Sequence, residues 1–599
     1  MEAGIGARRP PRWGLLLLIG VVLLIRLPFL NQAVQGDDDT YITEAEHALI
    51  EPLHPTHTLY VFQGVPVDLR GHPHPPLDAW TLAALLAVFG DVREIPFHAA
   101  YIGFSLIAVL AMCSLAKRFS PEPVWASLLF LAVPTFVVNG NSFESDLPFL
   151  AFWMAAIALF CAGRLWLAAA AMALAVLAAY QAVFLTPILA VYVWLYHRRD
   201  RLRWAAVLTP IAVVFAWQVF ERLSTGALPA AVLTGYFNSY GLQTFTIKLR
   251  NAIALAIHFC WILFPLLLPP ALVHAWRKRR DPQIAFVSAW IAIFFAGAVA
   301  VFFAGSARYL LPIAAPLVLL ASRLRTRWLA AGFAAQLALG LALAIVNYQH
   351  WDGYRQFARN LEDPSAAHRV WVNGELGLRF YLEAGHALPL QKTQTLRTGD
   401  IVATSELTQP ITPATPLATI ARMDIRPAIP LRLIGLQSEA GYSDASRGLW
   451  PFGVSASVID RVHAELVTER HPTREYLPMN APEAAEQIVS GIYSLEGGGY
   501  RWTGRSARVI LKSPAAAAKV AVNFTIPAAA RARQVTVLLD GRQVASKSYA
   551  APGTYTIESA PVRAAGATAD IEVQVDQTFT APPDTRELGI VLAALGFVP

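Results

Sequence analysis

The sequence predicts a mainly α-helical polytopic membrane protein with a soluble C-terminal region. Three observations predict this architecture. Hydrophobic residues make up 55% of the 599 residues, charged residues only 15%, and the mean hydropathy is +0.45. Long apolar runs recur through residues 1–347, whereas soluble domains are more highly charged and have few such runs. Beyond these runs the pattern changes to short segments of alternating polarity, which are typical of β-strands.

The apolar runs are long enough to cross a bilayer, since a spanning helix needs about 17–25 apolar residues. We predict about eleven spans, near residues 13–30, 97–116, 124–139, 147–163, 165–180, 182–196, 204–220, 250–275, 283–304, 308–322 and 328–347. Residues 77–90 form a further apolar helix, predicted to lie at the membrane interface. The first run resembles a signal sequence, but residues 26–30 contain no small-residue cleavage site, so we predict an uncleaved span.

The basic residues predict the orientation of these spans. Basic residues concentrate in alternate loops, at positions 117–118, 164, 198–203, 277–280 and 323–327. The intervening loops, at 31–96, 140–146, 221–249 and 305–307, contain few lysines or arginines. The positive-inside rule therefore predicts a cytoplasmic N-terminus, with the first loop and the C-terminal tail outside the cytoplasm. Because the net charge of +7 is accounted for by these loops, it does not indicate a nucleic-acid partner.

The tail divides into two predicted parts. Residues 348–480 mix helical and strand patterns and are predicted to form an extracytoplasmic α/β segment. Residues 481–599 are predicted to form a β-sandwich, with a hairpin at Asp540-Gly541. Residues 586–590 resemble the last strand of a jelly-roll module of carbohydrate-active proteins. The tail contains no cysteine and therefore no disulfide framework.

Four motifs are predicted on the outer face of the membrane. They are Asp37-Asp38-Asp39-Thr40-Tyr41 with Glu44, His72-Pro73-His74-Pro75-Pro76-Leu77, the loop from Asn139 through Glu144 to Asp146, and Ser306-Ala307-Arg308-Tyr309. Each motif alone has an ordinary structural interpretation: a solvated helix cap, a rigid turn, a helix start or an arginine that reaches lipid headgroups. Because ionisable groups beside a membrane are costly to desolvate, their occurrence on one face favours a functional site.

These motifs resemble those of the GT-C glycosyltransferases, in particular bacterial members related to protein O-mannosyltransferases and the lipid A aminoarabinose transferase. Residues 38–45 resemble that family's Asp-Glu-x-x-Tyr motif, and His74-Pro-Pro-Leu77 its His-Pro-Pro-Leu segment. Residues 146–150 and 308–312 resemble its second-loop Asp motif and its Arg-Tyr-Leu-Leu-Pro motif. The resemblance covers about residues 20–350. It implies a GT-C fold in the bacterial inner membrane and a role in glycosylation of the cell envelope.

The resemblance also implies a mechanism. The donor would be a sugar on a polyprenyl phosphate, and Asp38, with Asp37 as the alternative, would remove the proton of an acceptor hydroxyl. Arg308 would stabilise the phosphate as it leaves, and direct displacement would invert the anomeric centre. Asp146 would position the acceptor or help to hold a divalent ion. The other predicted substrate-binding residues are Tyr41, Glu44, His74, Glu144 and Tyr309.

The sequence leaves open whether the protein uses a metal cofactor. Mg²⁺ or Mn²⁺ could be held by Asp38 and Asp146, and His72 and His74 are further candidate ligands. The two histidines lie in a proline-rich turn without an established ligand spacing. The sequence therefore indicates no certain cofactor.

Two other functions are compatible with the sequence. A flippase or other transporter of lipid-linked sugars would commonly contain inverted repeats, and none is apparent. A non-catalytic membrane protein could bind glycan through Tyr493, Tyr500 and Trp502, although we expect these aromatics to fill the core of the sandwich. The predicted partners are a polyprenyl-phosphate-linked sugar, membrane lipid and an acceptor that is a glycan, lipid or protein, with no nucleic acid.

Overall fold

A computed structural model describes residues 12–413, 415–468, 474–481, 484–530, 532–581, 584 and 586–599, with the side chains of residues 12, 363 and 364 excepted. The contacts divide the chain into two compact units. One contains the residues up to 355 together with residues 425–460, and the other contains residues 356–424 and 461–599. Part of the segment predicted as 348–480 therefore packs with the apolar helices.

The apolar part of the chain is helical throughout. The helices are α1 Arg12–Arg26, α2 Asp38–Ala48, α3 Leu77–Phe89, α4 Glu94–Phe119, α5 Pro123–Leu131, α6 Pro134–Asn139, α7 Asp146–Cys161, α8 Leu165–Ala178, α9 Leu185–Tyr196, α10 Arg201–Val207, α11 Thr209–Thr225, α12 Pro229–Ser239, α13 Phe245–Ile262, α14 Leu268–Arg277, α15 Pro282–Val301, α16 Leu311–Ala321 and α17 Thr326–Ser365. Two short helices follow in the tail, α18 Gly377–Ala384 and α19 Ala484–Gln487. Every residue of α16 is buried, so this helix lies in the core of the first unit.

The apolar helices confirm a multi-pass membrane protein. Among the described residues, five helical segments are long and apolar enough to span: Glu94–Phe119, Arg201–Thr225, Phe245–Ile262, Pro282–Val301 and Thr326–Glu362. Six further apolar helices are shorter: Trp13–Phe29, Leu77–Phe89, Asp146–Cys161, Leu165–Ala178, Tyr180–Tyr196 and Arg308–Ala321. The number of spans, about eleven, stays a prediction.

Two predicted spans are interrupted in the structure. The run at 124–139 forms α5 and α6, which are separated just before Pro134. The run at 250–275 forms α13 and α14, which are separated around Pro265. Proline lacks a backbone N–H and clashes with the preceding turn, so an uninterrupted apolar run need not form one helix.

The strands are concentrated in the tail. They are β1 Leu59–Phe62, β2 Val65–Asp68, β3 Val370–Asn373, β4 Leu388–Pro389, β5 Ile401–Ser405, β6 Leu417–Ile425, β7 Leu431–Arg432, β8 Gly453–Val454, β9 Asp460–Val467, β10 Tyr476–Pro478, β11 Ile488–Leu495, β12 Arg501–Lys512, β13 Lys519–Ile526, β14 Arg533–Leu539, β15 Arg542–Tyr549, β16 Gly553–Glu558, β17 Thr568–Val575 and β18 Val591–Val598. β4, β3, β5, β9 and β6 form one sheet, in which β3 pairs in parallel with β4 and β5. The α/β character predicted for this part is therefore present.

The C-terminal strands form a nine-stranded sheet that is close to a barrel, as expected of a β-rich domain. Its central path runs β15-β14-β17-β12-β18-β13-β16, and β12 pairs with both β17 and β18. The predicted hairpin joins β14 to β15. Asp540 and Gly541 have φ values of 50° and 76°, as a two-residue turn between twisted strands requires.

The expectation that three aromatic residues fill the core of this sheet is wrong. Tyr493, Tyr500 and Trp502 are only partly buried and lie outside the core cluster, which aliphatic residues and Phe524 dominate. β11 and β12 pair with register shifts in this region. A regular alternation of inward and outward side chains is lost at such shifts. A role of these aromatics in glycan binding stays a prediction.

Candidate active site

The acidic triplet begins α2, and its three carboxylates have three different environments. Gly36 precedes the triplet with a φ of 49°, a conformation that favours glycine. A Cβ atom at Gly36 would also collide with the Glu144 carboxylate. Because successive residues at a helix start point about 100° apart, Asp37, Asp38 and Asp39 diverge.

The Asp38 carboxylate is completely buried, at 0% exposure, and both of its oxygens accept hydrogen bonds. Its Oδ1 accepts from the Ser142 hydroxyl at 2.7 Å and from the Phe143 N–H at 2.8 Å. Its Oδ2 accepts from the Gln35 N–H at 3.0 Å. Burial raises the pKa of Asp38 to about 7 despite these three donors. Asp38 thus ties the first loop to the loop before α7.

Asp39 has a comparable structural role on another side of α2. Its Oδ2 accepts a hydrogen bond of 2.9 Å from the Tyr60 hydroxyl. Tyr60 lies on β1, so this bond fastens the β1-β2 hairpin to α2.

Asp37 is the most accessible member of the triplet. Its side chain is 47% exposed, and its Oδ2 lies 3.0 Å from Nη2 of Arg308. Its backbone N–H donates to Oε1 of Glu144 at 3.1 Å. The first motif therefore reaches the fourth motif through Asp37, not through Asp38.

Arg308 lies at the centre of three carboxylates. Its guanidinium forms ion pairs with Asp37 and Glu144, and its Nε lies 3.6 Å from Oδ2 of Asp146. The ring of Tyr309, with its centroid 5.7 Å from the Arg308 guanidinium carbon, supports the cation. Residues from three distant parts of the chain therefore converge on one positive charge.

Asp146 is oriented by a chain of hydrogen bonds. The Asn139 amide donates to its Oδ2 at 3.2 Å, and the Tyr442 hydroxyl donates to the Asn139 carbonyl oxygen. The Tyr442 backbone carbonyl accepts from the Ala307 N–H at 2.8 Å and from the Ser306 hydroxyl at 3.1 Å. Tyr442 thus holds both Asp146 and the residues that precede Arg308.

The histidine motif forms a second polar group around Tyr41. His72 Nδ1 lies 2.9 Å from Oε1 of Glu44, and His74 Nδ1 donates to the Ala178 carbonyl at 3.1 Å. The Tyr41 ring contacts both imidazoles, with centroids 4.9 and 5.7 Å away. Burial raises the pKa of Glu44, although His72 opposes the rise, and burial together with His72 holds the pKa of His74 well below its usual value. His74 is therefore neutral at physiological pH.

The predicted metal ligands do not converge. Asp38 accepts three protein hydrogen bonds, Asp146 lies against Arg308, and each histidine is engaged with a separate partner. Within the described parts of the chain, no three His, Cys, Asp or Glu side chains are arranged to hold a metal ion. The donor set at these four positions does not fit a divalent cation, and we derive no step that uses one.

A cleft with about 440 Å³ of empty space, part of it open to solvent, lies beside Arg308. Its lining residues are Gln35, Gly36, Val138, Asn139, Ser142, Glu144, Arg308, Asn347, His350, Trp351, Leu433, Ile434, Tyr442 and Ser443. Glu144 and Arg308 were predicted from the sequence, but the wall of the cleft formed by α17 and residues 431–443 was not. In α17 the i, i+3, i+4 spacing of the polar and aromatic residues at 347, 350 and 351 was a detectable signal. No periodic pattern marked Tyr442.

Residues 73–220 match the family model of the dolichyl-phosphate-mannose-protein mannosyltransferases. This segment includes the histidine motif from Pro73 onward and the loop that contains Glu144 and Asp146. The matched segment is 148 of the 599 residues. The match agrees with the resemblance of the motifs in this segment and supports a membrane glycosyltransferase. No curated protein matches the chain.

Several solved GT-C structures are similar to this chain. ArnT from Cupriavidus metallidurans, bound to undecaprenyl phosphate, has 15% identity and a TM-score of 0.46 over 65% of this chain and 93% of its own. Arabinofuranosyltransferase AftD from Mycobacteria has 12% identity and a TM-score of 0.41, over 98% of this chain and 59% of its own. The archaeal oligosaccharyltransferase AglB from Archaeoglobus fulgidus has 11% identity and a TM-score of 0.42, over 95% of this chain and 96% of its own.

Proposed function

We propose that this protein transfers a sugar from a polyprenyl-phosphate donor to a hydroxyl group of an acceptor outside the cytoplasm, with inversion at the anomeric carbon. The observation that supports the proposal is the convergence of Asp37, Glu144 and Asp146 on Arg308 at the edge of a cleft. Such a transfer needs a base for the acceptor and a cation for the departing phosphate. Both groups lie within 3.0 Å of each other here.

We propose Asp37, rather than Asp38, as the general base. A base must reach the proton that it removes, and Asp37 is half exposed whereas Asp38 is buried and already accepts three hydrogen bonds. The spacing of the Asp-Glu-x-x-Tyr motif supports the same choice, because counting back from Tyr41 places its first acid at Asp37.

The proposed step is a direct displacement. Asp37 takes the proton of the acceptor hydroxyl, and the oxygen attacks the anomeric carbon on the face opposite the phosphate. A new glycosidic C–O bond forms as the bond from carbon to the phosphate oxygen breaks, and the electron pair remains on the phosphate. Because the leaving group is already a stable anion, the step needs a nearby cation and no general acid.

Arg308 would bind the donor phosphate after giving up its ion pair with one carboxylate. A guanidinium can bind two phosphate oxygens, but its nitrogens already face three carboxylates. Asp37 is the exposed partner, while Glu144 and Asp146 are buried. An arriving phosphate would therefore displace Asp37, and this exchange would free its carboxylate to accept the acceptor's proton.

The proposed donor class rests on the family description, which names a dolichyl-phosphate sugar. The structures of ArnT and AglB contain undecaprenyl phosphate and dolichol-phosphate, respectively. We propose the bacterial inner membrane as the location, with the N-terminus in the cytoplasm and the site facing outward. The scarcity of basic residues in loops 31–96 and 140–146 supports this orientation.

The proposal is tested by comparing a strain that lacks the gene with its parent. Mass spectrometry of surface glycans, lipids and proteins identifies the lost sugar, and lipid extracts show whether the unused donor accumulates. Complementation with the wild type should restore the sugar. Asp37→Asn should lower transfer by about a hundredfold to ten-thousandfold, since general-base catalysis contributes about that much.

Asp91→Asn is the matched control, because Asp91 is an exposed acid of the same loop whose carboxylate accepts a hydrogen bond from the neighbouring Val92 N–H. It should leave transfer unchanged. Full activity of a well-expressed Asp37→Asn variant would reject the proposed base. A deletion strain with an unaltered set of surface sugars, but a donor trapped on one side of the membrane, would instead indicate a transporter.

A further inference from the structure

The cleft has a second wall that the proposed transfer does not use. This wall consists of one face of α17 with residues 431–443. His350 lies on this wall and is 2% exposed. Its ring stacks on Trp351, with centroids 4.2 Å apart and planes inclined by 28°.

Two residues hold the imidazole of His350. Its Nε2 lies 3.3 Å from the Tyr354 hydroxyl oxygen, and the Tyr354 hydroxyl donates to Oδ2 of Asp460 at 2.8 Å. Asp460 is itself completely buried, at 0% exposure. A buried carboxylate thus orients a tyrosine, which orients a histidine at the cleft.

This arrangement selects one tautomer of His350. The Tyr354 hydroxyl hydrogen is used by Asp460, so the Tyr354 oxygen accepts from His350. The neutral imidazole must then carry its proton on Nε2, and Nδ1 retains its lone pair. Within the described residues no group hydrogen-bonds to Nδ1, although the ring lines the cleft. A buried acceptor is therefore available to a molecule in the cleft.

The other lining residues indicate what that molecule carries. Besides Glu144, Arg308, His350 and Trp351, the polar side chains of the cleft are neutral amides and hydroxyls: Gln35, Asn139, Ser142, Asn347, Tyr442 and Ser443. Arg308 is the cation of the lining and already faces three carboxylates. A phosphate on the acceptor would compete with the donor phosphate for Arg308. A neutral polyol would need only the hydrogen-bonding capacity that the amides and hydroxyls keep beyond their bonds to other protein groups.

We propose that the acceptor is a carbohydrate and that His350 binds one of its hydroxyls through Nδ1. One hydroxyl loses its proton to Asp37 and attacks the donor. A neighbouring hydroxyl donates to His350, which orients the sugar ring. Tyr354 and Asp460 are positioning residues that act through His350. This inference rests on the proposed glycosyl transfer, because a serine or threonine acceptor would have no second hydroxyl to offer.

Three substitutions of His350 distinguish hydrogen bonding by Nδ1 from a purely structural contribution of the ring. In His350→Asn the side-chain carbonyl oxygen can replace Nδ1 as a hydrogen-bond acceptor. In His350→Gln the side-chain amide can replace the Nε2–H that donates to Tyr354. His350→Phe retains only the stacking on Trp351. We expect His350→Asn to stay within about tenfold of the wild-type rate and the other two to fall by about a hundredfold. Tyr354→Phe should lose about tenfold, because the tautomer is no longer imposed.

The measurement uses membranes of the deletion strain, which contain the native donor and acceptor, with the sugar added to extracted glycans quantified by mass spectrometry. Binding of undecaprenyl phosphate alone to the purified variants should be unchanged. His258→Asn is the control, since His258 is a buried histidine of α13 that does not line this cleft, and it should leave transfer within about twofold.

The outcomes are separable. The role of Nδ1 would be overturned if His350→Gln or His350→Phe transferred sugar as fast as His350→Asn, or faster. If His350→Phe does not fold, the comparison of His350→Asn with His350→Gln still decides this. Finding the transferred sugar on protein side chains, or on a phosphorylated lipid without a glycan, would overturn the acceptor class. Full activity of Asp37→Asn would reject the proposed base whatever the His350 variants do.

Discussion

At the scale of single residues, three consecutive aspartates illustrate how identical side chains acquire different roles. Asp38 and Asp39 accept hydrogen bonds that hold loops together, whereas Asp37 reaches Arg308. The sequence shows three equivalent carboxylates. Their divergence arises because the chain enters α2 between them, so each side chain points in a different direction.

The first prediction concerns the pH dependence of stability through Asp38. Its pKa in the folded protein is about 7, above the ordinary value of 3.8, so the folded state binds a proton more tightly than the unfolded state does. The contribution of Asp38 to the free energy of unfolding should therefore decrease as the pH rises from about 4 to about 7. Asp38→Asn should remove this contribution, so over this range the free energy of unfolding of the variant should change with pH in a more positive direction than that of the wild type. Thermal unfolding of the purified protein across this range measures the effect.

Asp91→Asn again serves as the comparison, because its carboxylate is exposed. Equal pH slopes in the wild type and in Asp38→Asn would show that Asp38 is ionised in both states and would contradict the prediction.

The second prediction concerns Tyr442, which the sequence analysis did not identify. Tyr442→Phe removes the hydrogen bond to Asn139 but keeps the backbone contacts to Ser306 and Ala307. We expect about tenfold slower transfer, because Asn139 then orients Asp146 less well, and a loss of stability of about 1 kcal/mol. Initial rates in membranes and melting temperatures measure the two effects. A large loss of stability with an unchanged rate would assign Tyr442 to folding alone.

At the scale of elements, a buried arginine holds the loop that carries the second acidic motif. Arg26, at the end of α1, donates to the carbonyls of Phe136 and Val137 at 2.7 and 2.8 Å. These carbonyls belong to the last turn of α6, where intrahelical donors become scarce. The Phe136 carbonyl also accepts from the Gly140 N–H at 3.2 Å, and the Val137 carbonyl from the Asn141 amide at 3.4 Å. Arg26 also donates to Asn141 and Ser105. It thereby positions the loop that leads to Asp146.

The third prediction follows from this contact. Arg26→Met should destabilise the protein by about 2 kcal/mol, since two buried carbonyls lose their shortest, charge-assisted hydrogen bonds. It should also slow transfer by displacing the loop before α7. Arg26→Lys should be intermediate, because an ammonium cannot reach both carbonyls in the same geometry.

Arg164→Met is the corresponding control at an exposed arginine. Melting temperature and transfer rate are the measurements. An Arg26→Met variant as stable as the control would show that α6 does not depend on this contact.

α17 shows how one element contributes to the site through its periodicity. Asn347, Trp351 and Tyr354 follow one another at helical spacing on the face that contains His350. Trp351 donates to the Asn347 carbonyl oxygen at 2.8 Å, and the Asn347 amide donates to Gln35 in the first loop. The sequence analysis ended this span at residue 347, but the helix continues to Ser365. The polar face of α17 that lines the cleft therefore begins at the residue where the predicted membrane span ended.

At the scale of the whole molecule, the fourth prediction concerns orientation in the membrane. In a Cys260→Ser background, His57→Cys lies in the first loop and Arg279→Cys in a basic loop. Both positions are exposed, and the remaining cysteines, Cys113 and Cys161, are buried. A membrane-impermeant thiol reagent should label His57→Cys in intact spheroplasts and Arg279→Cys only after permeabilisation. The reverse pattern would overturn the predicted topology.

Much of this architecture could be predicted because it depends on local patterns. Hydropathy over about twenty residues identified the membrane part, and alternating polarity identified β14 and the hairpin after it. The four motifs predicted a resemblance to a family, and the match at residues 73–220 agrees with it for the part of the chain that contains two of them. These signals are local because membrane solvation and strand pairing act on short stretches of chain.

Local patterns in the sequence were enough to predict a multi-pass membrane protein with a β-rich C-terminal domain and motifs that resemble those of GT-C glycosyltransferases. Only the tertiary structure decided which carboxylate faces Arg308, which one is consumed in holding loops together, and that His350 and Tyr442 line the same cleft. Those facts depend on contacts between residues up to several hundred positions apart. Such contacts are set by the packing of whole elements, and no local pattern records them.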